Sequence, residues 1–283
     1  MKLGIHAMAW TSHWSDESLP LIDRVAGLGL DFIEIPLMDI DDVHPRPVRA
    51  ALDAAGIDVV TSTVLGEATD ITSSDAAVRA AGLEYLRRCV DVTAEIGAPL
   101  FSGVIFGMHG KRQRERPGRE EWQWSAECLA RLAEHPADAG ITLGLEPVNR
   151  YESPLINTCQ QAVELADMIG APNVGIHLDT YHMNIEEKSW AEPIALAGKR
   201  LCHFHLCEND RGIPGTGLVG WEELFGALGK LHYDGYAGLE SFVDVSDDMV
   251  AGTCVWRDLA PSGDVLVAEG TAFLRRLARE NGL

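Results

Sequence analysis

The segment ITLGLEPVNRYESPLINTCQQAVELADMIGAPNVGIHLD, residues 141–179, contains one complete strand–helix–strand unit. Short apolar runs at 141–146 and 173–179 are typical of buried strands, and the Ala- and Leu-rich stretch at 157–170 has the period of a helix. Both strands finish on a carboxylate, Glu146 and Asp179. This order predicts a right-handed parallel crossover, which is the repeating unit of α/β folds.

The same alternation continues in both directions along the chain. It predicts eight strands, at residues 2–8, 32–36, 57–64, 98–105, 141–146, 173–179, 201–207 and 236–241. It predicts helices at 17–29, 44–56, 74–97, 119–138, 157–170, 220–230 and 262–281, with a shorter one at 188–198. Eight strand–helix units are the number that closes a (β/α)8 barrel. Since no change in composition marks a second domain, the sequence predicts a single TIM-barrel domain over residues 1–283.

Composition restricts the partners and the cellular location. Among 283 residues, 23 are Lys or Arg and 43 are Asp or Glu, so the formal net charge of −20 repels nucleic acids. The six cysteines form no Cys-x-x-Cys pair, and no run of about 18 apolar residues or signal-peptide core is present. We therefore expect a cytoplasmic protein with reduced thiols, no membrane segment and no nucleic-acid partner.

The last four strands carry polar side chains in a regular pattern. Alternate residues of a barrel strand point into the barrel and out towards the helices, and the outward positions of these strands are apolar. The inward positions are Thr142, Gly144 and Glu146; Gly175, His177 and Asp179; Leu201, His203 and His205; and Tyr236, Gly238 and Glu240. Each inward set finishes on an acid or a histidine at the carboxyl end of its strand, where barrel active sites lie.

Three carboxylates at one rim repel one another unless a cation lies between them. Oxygen ligands with a single imidazole favour Mn²⁺, Co²⁺ or Mg²⁺ over a thiolate-type zinc site. We therefore expect one divalent metal with the ligands Glu146, Asp179, His205 and Glu240. The ligand types alone do not choose among the three ions, and Mn²⁺ is our working assignment. The alternative is that these four side chains are paired separately with arginine, lysine or backbone groups.

Three further polar residues belong to deeper positions in the predicted barrel. His177 and His203 lie one inward layer below the rim, and Glu34 lies on the second strand. Side chains in such positions commonly orient metal ligands by hydrogen bonds. We expect these three residues to support the ligands rather than to contact a substrate.

Five motifs resemble the ketose 3-epimerases typified by D-tagatose and D-psicose (D-allulose) 3-epimerases, which are xylose-isomerase-like barrels. They are GLEPVNRYES (144–153), HLDTYHMNIEE (177–187), HFHLCENDRGIPGTG (203–217), GLESF (238–242) and VWRDL (255–259). The resemblance implies a metal-dependent isomerase that inverts C3 of a free ketose of the tagatose, fructose/psicose or ribulose/xylulose type. It also implies the same four metal ligands and a homodimer or homotetramer.

The resemblance further implies a set of substrate contacts. Glu152, His182 and Arg211 match residues that hold the first oxygens of the sugar. Trp10 and Trp14 look like an aromatic wall, although these two residues and Phe242 are equally compatible with packing roles. His109 stands where the family often has Trp, and family members often carry an aromatic residue at the position of His6.

The reaction itself suggests a role for two of the glutamates. Inverting a carbon beside a ketone requires removal of a proton from one face and delivery of a proton to the other, through a cis-enediolate. Our hypothesis is that Glu146 and Glu240 are these two catalytic groups and that they exchange roles with the direction of reaction.

Three alternatives are distinguishable by experiment. An aldose–ketose or hydroxypyruvate isomerase on the same barrel would exchange hydrogen at C1 and C2 instead of C3. An abasic-site endonuclease-like hydrolase would need more histidines, three metals and a basic face for DNA, which a charge of −20 disfavours. A sugar-binding barrel without activity would have no need for two opposed glutamates.

The charged stretch GKRQRERPGREE, residues 110–121, follows the fourth predicted strand. Mixed runs of this kind are usually solvated loops that lead into a helix. A phosphate contact or a subunit contact is the alternative interpretation of the cationic residues between Lys111 and Arg119.

Overall fold

The computed structural model describes residues 1–135, 140–243 and 246–283. Eight strands, β1 to β8, span Lys2–His6, Phe32–Pro36, Asp58–Leu65, Leu100–Met108, Thr142–Leu145, Val174–Asp179, Leu201–His205 and Tyr236–Leu239. Helices α1 to α10 span Pro20–Gly27, Pro45–Ala55, Ala76–Ile96, Arg119–Ala133, Cys159–Ile169, Thr180–Glu186, Ala191–Ala197, Trp221–Leu231, Asp247–Thr253 and Gly263–Glu280. All eight predicted strands are confirmed. The end of the predicted helix 119–138, at 136–138, lies outside the described residues.

The strands form a closed, all-parallel barrel in sequence order. Closure is made by β1 and β8, where Lys2 is in register with Tyr236 and Gly4 with Gly238. The main core lies between the barrel and the helices, as the apolar outward positions predict. A small interior cluster of Phe32, Val60 and Leu100 fills the barrel below the site. The carboxyl ends of β5 to β8 therefore lie above a layer of packed apolar side chains inside the barrel.

One irregularity in β7 changes the predicted inward and outward pattern. Ile176 is in register with Leu201 but His177 with His203, so β7 has one extra residue at Cys202. As a consequence Leu201 packs in the outer core, whereas Cys202 packs against the interior cluster. The prediction was wrong for these two residues because a β-bulge is not visible in an alternating pattern. The bulge leaves the inward direction of His203 and His205 as predicted.

Two short helices at the carboxyl end of the barrel were not predicted. Helix α6 begins directly after Asp179, whose carboxylate accepts a hydrogen bond from the Tyr181 amide (2.6 Å). Helix α9 follows β8, and its residues Met249, Gly252 and Thr253 line the cavity described below. Among the described residues no helix combines the length and apolar character that a bilayer crossing requires.

The charged stretch 110–121 is bound to the rest of the protein through Lys111. Its ammonium group donates to Asp70 (2.9 Å), Thr72 (2.8 Å) and Glu121 (3.4 Å). Burial opposes ionisation of Asp70, but the hydrogen bonds from Thr72 and Lys111 outweigh it and lower the pKa of Asp70. Lys111 therefore ties the start of α4 to the loop after β3. These contacts favour a structural role for Lys111 over the binding of a phosphate.

Gly103 is the position where the barrel depends most on the absence of a side chain. Its φ of +112° is unfavourable for other residues, and a Cβ there would lie 2.3 Å from the Thr63 carbonyl oxygen on the neighbouring strand. We expect Gly103→Ala to lower the free energy of unfolding by about 3 kcal/mol, measured in urea. Gly27→Ala is the control, because nothing lies within 4 Å of its added Cβ. Equal stability of the two variants would contradict the prediction.

Candidate active site

The carboxyl ends of the last four strands converge on one point. Glu146 follows β5, Asp179 ends β6, His205 ends β7 and Glu240 follows β8. One ligand atom from each of the four lies within 4.8 Å of the others. The Nδ1 atom of His205 is 3.7 Å from Glu146, 3.6 Å from Asp179 and 3.2 Å from Glu240. The structure thus brings together the four side chains that strand parity placed at the rim.

Glu34 holds the imidazole of His205 from below. Its Oε2 atom accepts hydrogen bonds from Nε2 of His205 (2.9 Å) and Nε2 of His203 (2.7 Å), and all three side chains are buried. Burial opposes ionisation of Glu34, but His205 and His203 outweigh it and keep the pKa of Glu34 well below its usual value. With Nε2 donating to Glu34, His205 directs Nδ1 at the three carboxylates.

This arrangement fits a divalent cation. His205 Nδ1 is fully buried and makes no hydrogen bond within the described part of the chain. Burial opposes protonation of His205, but Glu240 and Glu34 outweigh it and raise the pKa of His205 well above its usual value. Once a cation displaces the proton on Nδ1, this nitrogen and the three carboxylates would supply the mixed oxygen and nitrogen ligands that divalent cations accept. The four residues are therefore a site that could hold one divalent metal.

His177 lies beside the site in the same deep layer as His203. Its ring centroid is 4.3 Å from that of His203 and 4.2 Å from that of His205. Its Nδ1 is 3.7 Å from Glu146, and neither ring nitrogen has a hydrogen-bond partner among the described residues. Burial keeps the pKa of His177 well below its usual value, so this ring packs in its neutral form against the candidate ligand His205.

Arg211 supplies the positive charge next to the carboxylates. Its Nη1 donates to Asp179 (2.7 Å) and also to Glu240, and the side chain is almost fully buried. Burial opposes ionisation of both acids, but Arg211 lowers the pKa of Asp179 to about 2 and holds that of Glu240 well below its usual range. Within the described part of the chain Glu146 forms no ion pair with an arginine or a lysine, and burial raises the pKa of Glu146.

The Arg211 side chain is positioned by a strained backbone. Its φ of 65° is in the left-handed region, which non-glycine residues rarely adopt. The Ser241 hydroxyl, just after β8, donates to the Arg211 carbonyl oxygen (2.6 Å). The guanidinium stacks on the rings of Tyr181 (4.3 Å) and Phe242 (5.3 Å). A strained backbone persists only where surrounding contacts compensate its cost, and such positions are common at functional sites.

Glu152 and His182 are held by a residue that the sequence analysis missed. The Asn149 amide group donates to Glu152 Oε1 (2.7 Å) and to His182 Nδ1 (3.0 Å), and the Asn149 backbone amide also donates to His182 Nδ1 (3.2 Å). The Nε2–H of His182 therefore faces the cavity. On its other side Glu152 accepts a hydrogen bond from His109 Nε2 (3.1 Å).

These contacts also determine the charge on Glu152. Burial opposes its ionisation, but the hydrogen bond from His109 and the nearby charge of Arg211 outweigh it and lower the pKa of Glu152 to about 2. Glu152 is thus an ionised acceptor at the edge of the site. A charged acceptor of this kind can receive a hydrogen bond from a sugar hydroxyl.

A cavity of about 590 Å³ opens above the four converging residues. Of the predicted substrate contacts, the following line it: His109, Glu152, His182, Arg211 and Phe242. Trp10 and Trp14 are not among its described lining residues. Trp10 donates from Nε1 to Asp264 (3.1 Å) and stacks on Arg24, and Trp14 packs in the outer core with 2% of its surface exposed. The packing role is therefore the one this structure favours for both tryptophans.

The opposite wall of the cavity comes from β1, β2 and β3 and was largely missed. It includes His6, Met8, His13, Met38 and Ser62. Two sequence signals pointed to this wall: the departure from the family pattern at His6, and the predicted aromatic residues Trp10 and Trp14, which share a loop with Met8 and His13. Met8 and His13 follow β1, Met38 follows β2 and Ser62 lies within β3, and none of them belongs to one of the five motifs.

Removing the carboxylate of Glu34 tests its effect on the metal site. We expect Glu34→Gln to weaken Mn²⁺ binding about 10- to 100-fold, because the ionised acceptor that orients His205 would be replaced by a neutral amide oxygen, which makes a weaker hydrogen bond. Calorimetric titration of the metal-free protein measures this directly. Glu121→Gln, in a carboxylate outside the cluster that pairs with Lys111, is the control. An unchanged dissociation constant for Glu34→Gln would show that Glu34 does not orient the ligand.

Comparison with known proteins places this geometry in a family. The model of the xylose isomerase-like TIM barrels matches residues 22–277. The chain belongs to this family. Ketose 3-epimerase of Arthrobacter globiformis is 39% identical over 278 residues, which cover 97% of this chain and 96% of that protein. L-ribulose 3-epimerase of Methylomonas sp. (strain DH-1) is 37% identical over 98% of this chain and 97% of that protein.

Solved structures agree with these relatives. D-allulose 3-epimerase of Methylomonas sp. in complex with D-allulose superposes with a TM-score of 0.93 at 36% identity, covering 98% of this chain and 96% of that chain. Within the xylose isomerase-like barrels, the chain therefore belongs with the ketose 3-epimerases, which are isomerases. The fold, the family and the class of enzyme predicted from the sequence are confirmed.

Proposed function

We propose that this protein is a metal-dependent ketose 3-epimerase that uses Glu146 and Glu240 as its two proton-transferring groups. The observation that carries the proposal is the placement of these glutamates. They stand at the ends of β5 and β8, with the two other candidate ligands Asp179 and His205 on the strands between them. Two carboxylates separated in this way can reach opposite faces of one carbon atom.

In this proposal Glu146, Asp179, His205 and Glu240 hold one divalent cation, Mn²⁺ being favoured over Co²⁺ and Mg²⁺. When bound, such a cation stabilises negative charge that develops on the oxygens next to the reacting carbon. The residues of the chain then perform the proton transfers. One glutamate removes the proton from C3, and the other delivers a proton to the opposite face of the cis-enediolate. The two carboxylates regain their starting states by exchange with solvent.

The remaining cavity residues fit the head of a ketose. His182 offers Nε2–H, Arg211 offers guanidinium N–H groups and Glu152 offers an ionised acceptor on the same side of the cavity. We assign these groups to the oxygens on C1 and C2. Held at these two oxygens, a sugar would present C3 between the two glutamates, and restricting the substrate in this way raises the rate of proton transfer.

The test is isotope exchange with defined metals. The purified protein is stripped with a chelator, restored with Mn²⁺, Co²⁺ or Mg²⁺, and incubated in D₂O with D-fructose, D-tagatose and the ribuloses. NMR then follows product and deuterium. We expect metal-dependent deuterium at C3 together with C3-inverted product. Exchange confined to C1 or C2 would instead assign an aldose–ketose or hydroxypyruvate isomerase.

Three wider expectations remain part of the proposal. The eight strands of one closed barrel support a single catalytic domain over residues 1–283. The family supports a homodimer or homotetramer, which sedimentation analysis would measure. The cysteines of the chain are all free, which supports a reducing, cytoplasmic location.

A further inference from the structure

The loop between β7 and α8, residues 206–220, carries Arg211 and folds around the buried side chain of Glu208. We propose that Glu208 is a positioning residue, whose carboxylate holds this loop in the conformation that brings the Arg211 guanidinium to the rim carboxylates and to the head of the ketose. Glu208 is absent from the described lining of the cavity, so it acts through Arg211 rather than on the substrate. This inference rests on the proposed function, in which Arg211 binds the oxygens on C1 and C2.

Both oxygens of the Glu208 carboxylate are used as acceptors. Oε1 accepts from the backbone amides of Asn209 and Val219, each at 3.0 Å, and Oε2 accepts from the Gly215 amide (2.9 Å) and from Trp221 Nε1 (3.1 Å). An ionised carboxylate accepts at about four positions, and N–H donors occupy all of them here. The group thus connects the beginning, the middle and the end of the loop with the first residue of α8.

Burial makes this loop conformation difficult to leave. Glu208 is 0% exposed, so water does not replace an N–H donor that moves away from the carboxylate. A buried charge without its hydrogen-bond partners is costly, and this cost opposes every loop conformation that separates the donors from the carboxylate. The loop also packs closely around the side chain, because a Cβ at Gly217 would lie 2.7 Å from Glu208 Cγ.

The turn that presents Arg211 begins at Glu208. The Arg211 amide donates to the Glu208 carbonyl oxygen (2.9 Å), and this turn gives Arg211 its φ of 65°. A left-handed backbone at a non-glycine residue persists only where its surroundings determine it. The Glu208 carboxylate supplies this constraint, because it binds the chain before the arginine, at Asn209, and after it, at Gly215.

The residue before Glu208 is fixed to the barrel. Thr180, directly after the rim residue Asp179, accepts at Oγ1 from the Cys207 amide (2.7 Å) and donates to the Cys207 carbonyl oxygen (2.5 Å). Glu208 is therefore the first residue beyond this attachment, and its carboxylate determines how the rest of the loop leaves the barrel. Without the carboxylate, the loop would keep its attachment at Cys207 and lose the conformation around Arg211.

Binding of Mn²⁺ to the chelator-stripped protein gives a test that does not depend on turnover. In Glu208→Gln, an amide NH₂ group replaces one oxygen and faces two N–H donors, so the loop must move and take Arg211 with it. Arg211 pairs with Asp179 and Glu240, and its departure frees both carboxylates for the cation. We therefore expect Glu208→Gln and Arg211→Ala each to bind Mn²⁺ about fivefold more tightly than wild type in calorimetric titrations. General damage to the site would weaken the binding instead.

Kinetics with saturating Mn²⁺ test whether Glu208 acts only through Arg211. On whichever of D-fructose and D-tagatose wild type converts faster, Glu208→Gln should lose about tenfold in kcat/KM, mainly as a higher KM. The same substitution in an Arg211→Ala background should cause no further loss, because effects transmitted through one shared residue are not additive. Glu223→Gln is the matched control, since Glu223 also accepts backbone N–H groups, at Trp190 and Ala191 (each 3.1 Å), outside this loop. This control should equal wild type in both experiments.

Gly217→Ala disturbs the same contact without removing the carboxylate. Its Cβ would displace the Glu208 side chain, so this variant tests the proposal if Glu208→Gln does not fold. We expect tighter Mn²⁺ binding and lower kcat/KM than in wild type, and again no further loss of kcat/KM in the Arg211→Ala background.

The outcomes are distinguishable from those of the proposed function. Absence of C3 exchange by wild-type enzyme on every sugar would overturn the proposed function, and the Mn²⁺ titrations would still test the link between Glu208 and Arg211. Normal turnover by wild type, combined with unchanged or weaker Mn²⁺ binding by Glu208→Gln, would overturn the Glu208 proposal alone. A full second loss of kcat/KM in the Arg211→Ala background would do the same.

Discussion

Glu240→Gln should lower kcat for C3 epimerisation about 10³-fold, and Glu146→Gln should do the same. A positioned acid or base contributes about 10²- to 10⁴-fold to a proton transfer, and an amide cannot perform it. The two variants should fail equally because each turnover needs one group to take a proton and the other to give one. NMR in D₂O measures both the inverted product and the deuterium at C3.

Measuring the metal content of each variant distinguishes the loss of a proton-transferring group from the loss of a metal ligand. An amide oxygen can still bind a cation, so each variant is assayed at a Mn²⁺ concentration that restores full occupancy, measured by metal analysis. The matched control is Glu127→Gln, because Glu127 is an exposed glutamate on the outside of α4. This variant should retain the wild-type rate. Epimerisation by either Glu146→Gln or Glu240→Gln above about one tenth of the wild-type rate would exclude the two-glutamate mechanism.

Arg211→Ala should destabilise the metal-free protein by about 3 kcal/mol, and Mn²⁺ should restore most of this loss. The guanidinium contacts Asp179 and Glu240, both of which are ionised and buried. Removing one partner of a buried ion pair leaves uncompensated charge, which costs about 3–5 kcal/mol. Because a bound metal can neutralise the same carboxylates, the stabilisation by Mn²⁺ should be larger in the variant than in wild type.

The measurement is urea unfolding with chelator and with saturating Mn²⁺. Arg257→Ala is the matched control, since Arg257 pairs with Asp210 (2.7 Å) on the exposed surface, where ion pairs contribute about 0–1 kcal/mol. Equal losses for Arg211→Ala and Arg257→Ala without metal would contradict the prediction. A loss that Mn²⁺ does not reduce would show that the guanidinium and the metal stabilise different groups.

The sequence predicted the barrel and the four converging residues because both follow from local periodicity. Strand parity needs only the alternation within each strand, and the parallel topology makes all carboxyl ends meet at one rim. The error at Leu201 and Cys202 shows the limit of this reasoning. A bulge is decided by pairing with the neighbouring strand, so the alternating pattern of one strand does not reveal it.

The roles of loop side chains were also difficult to predict, because they depend on contacts with distant parts of the chain. Trp10 and Trp14 matched the family's aromatic wall in sequence, yet long-range packing places them against Asp264 and in the outer core. Asn149 lies in the motif GLEPVNRYES, but nothing in that motif indicated that it orients two of the candidate substrate contacts. Such roles depend on which loops meet at the cavity, and the local sequence of one loop does not contain this information.

By itself, the sequence determined an eight-stranded barrel, an acidic rim with one histidine and the resemblance to ketose 3-epimerases. Only the tertiary structure decided that Arg211 contacts two of the rim carboxylates and that Glu34 holds His205. The physical reason is that periodicity reports which side of a strand is buried, whereas hydrogen bonds and ion pairs depend on distances between residues far apart in the chain. Glu34 and His205 are 171 residues apart in the sequence, yet Glu34 Oε2 lies 2.9 Å from His205 Nε2.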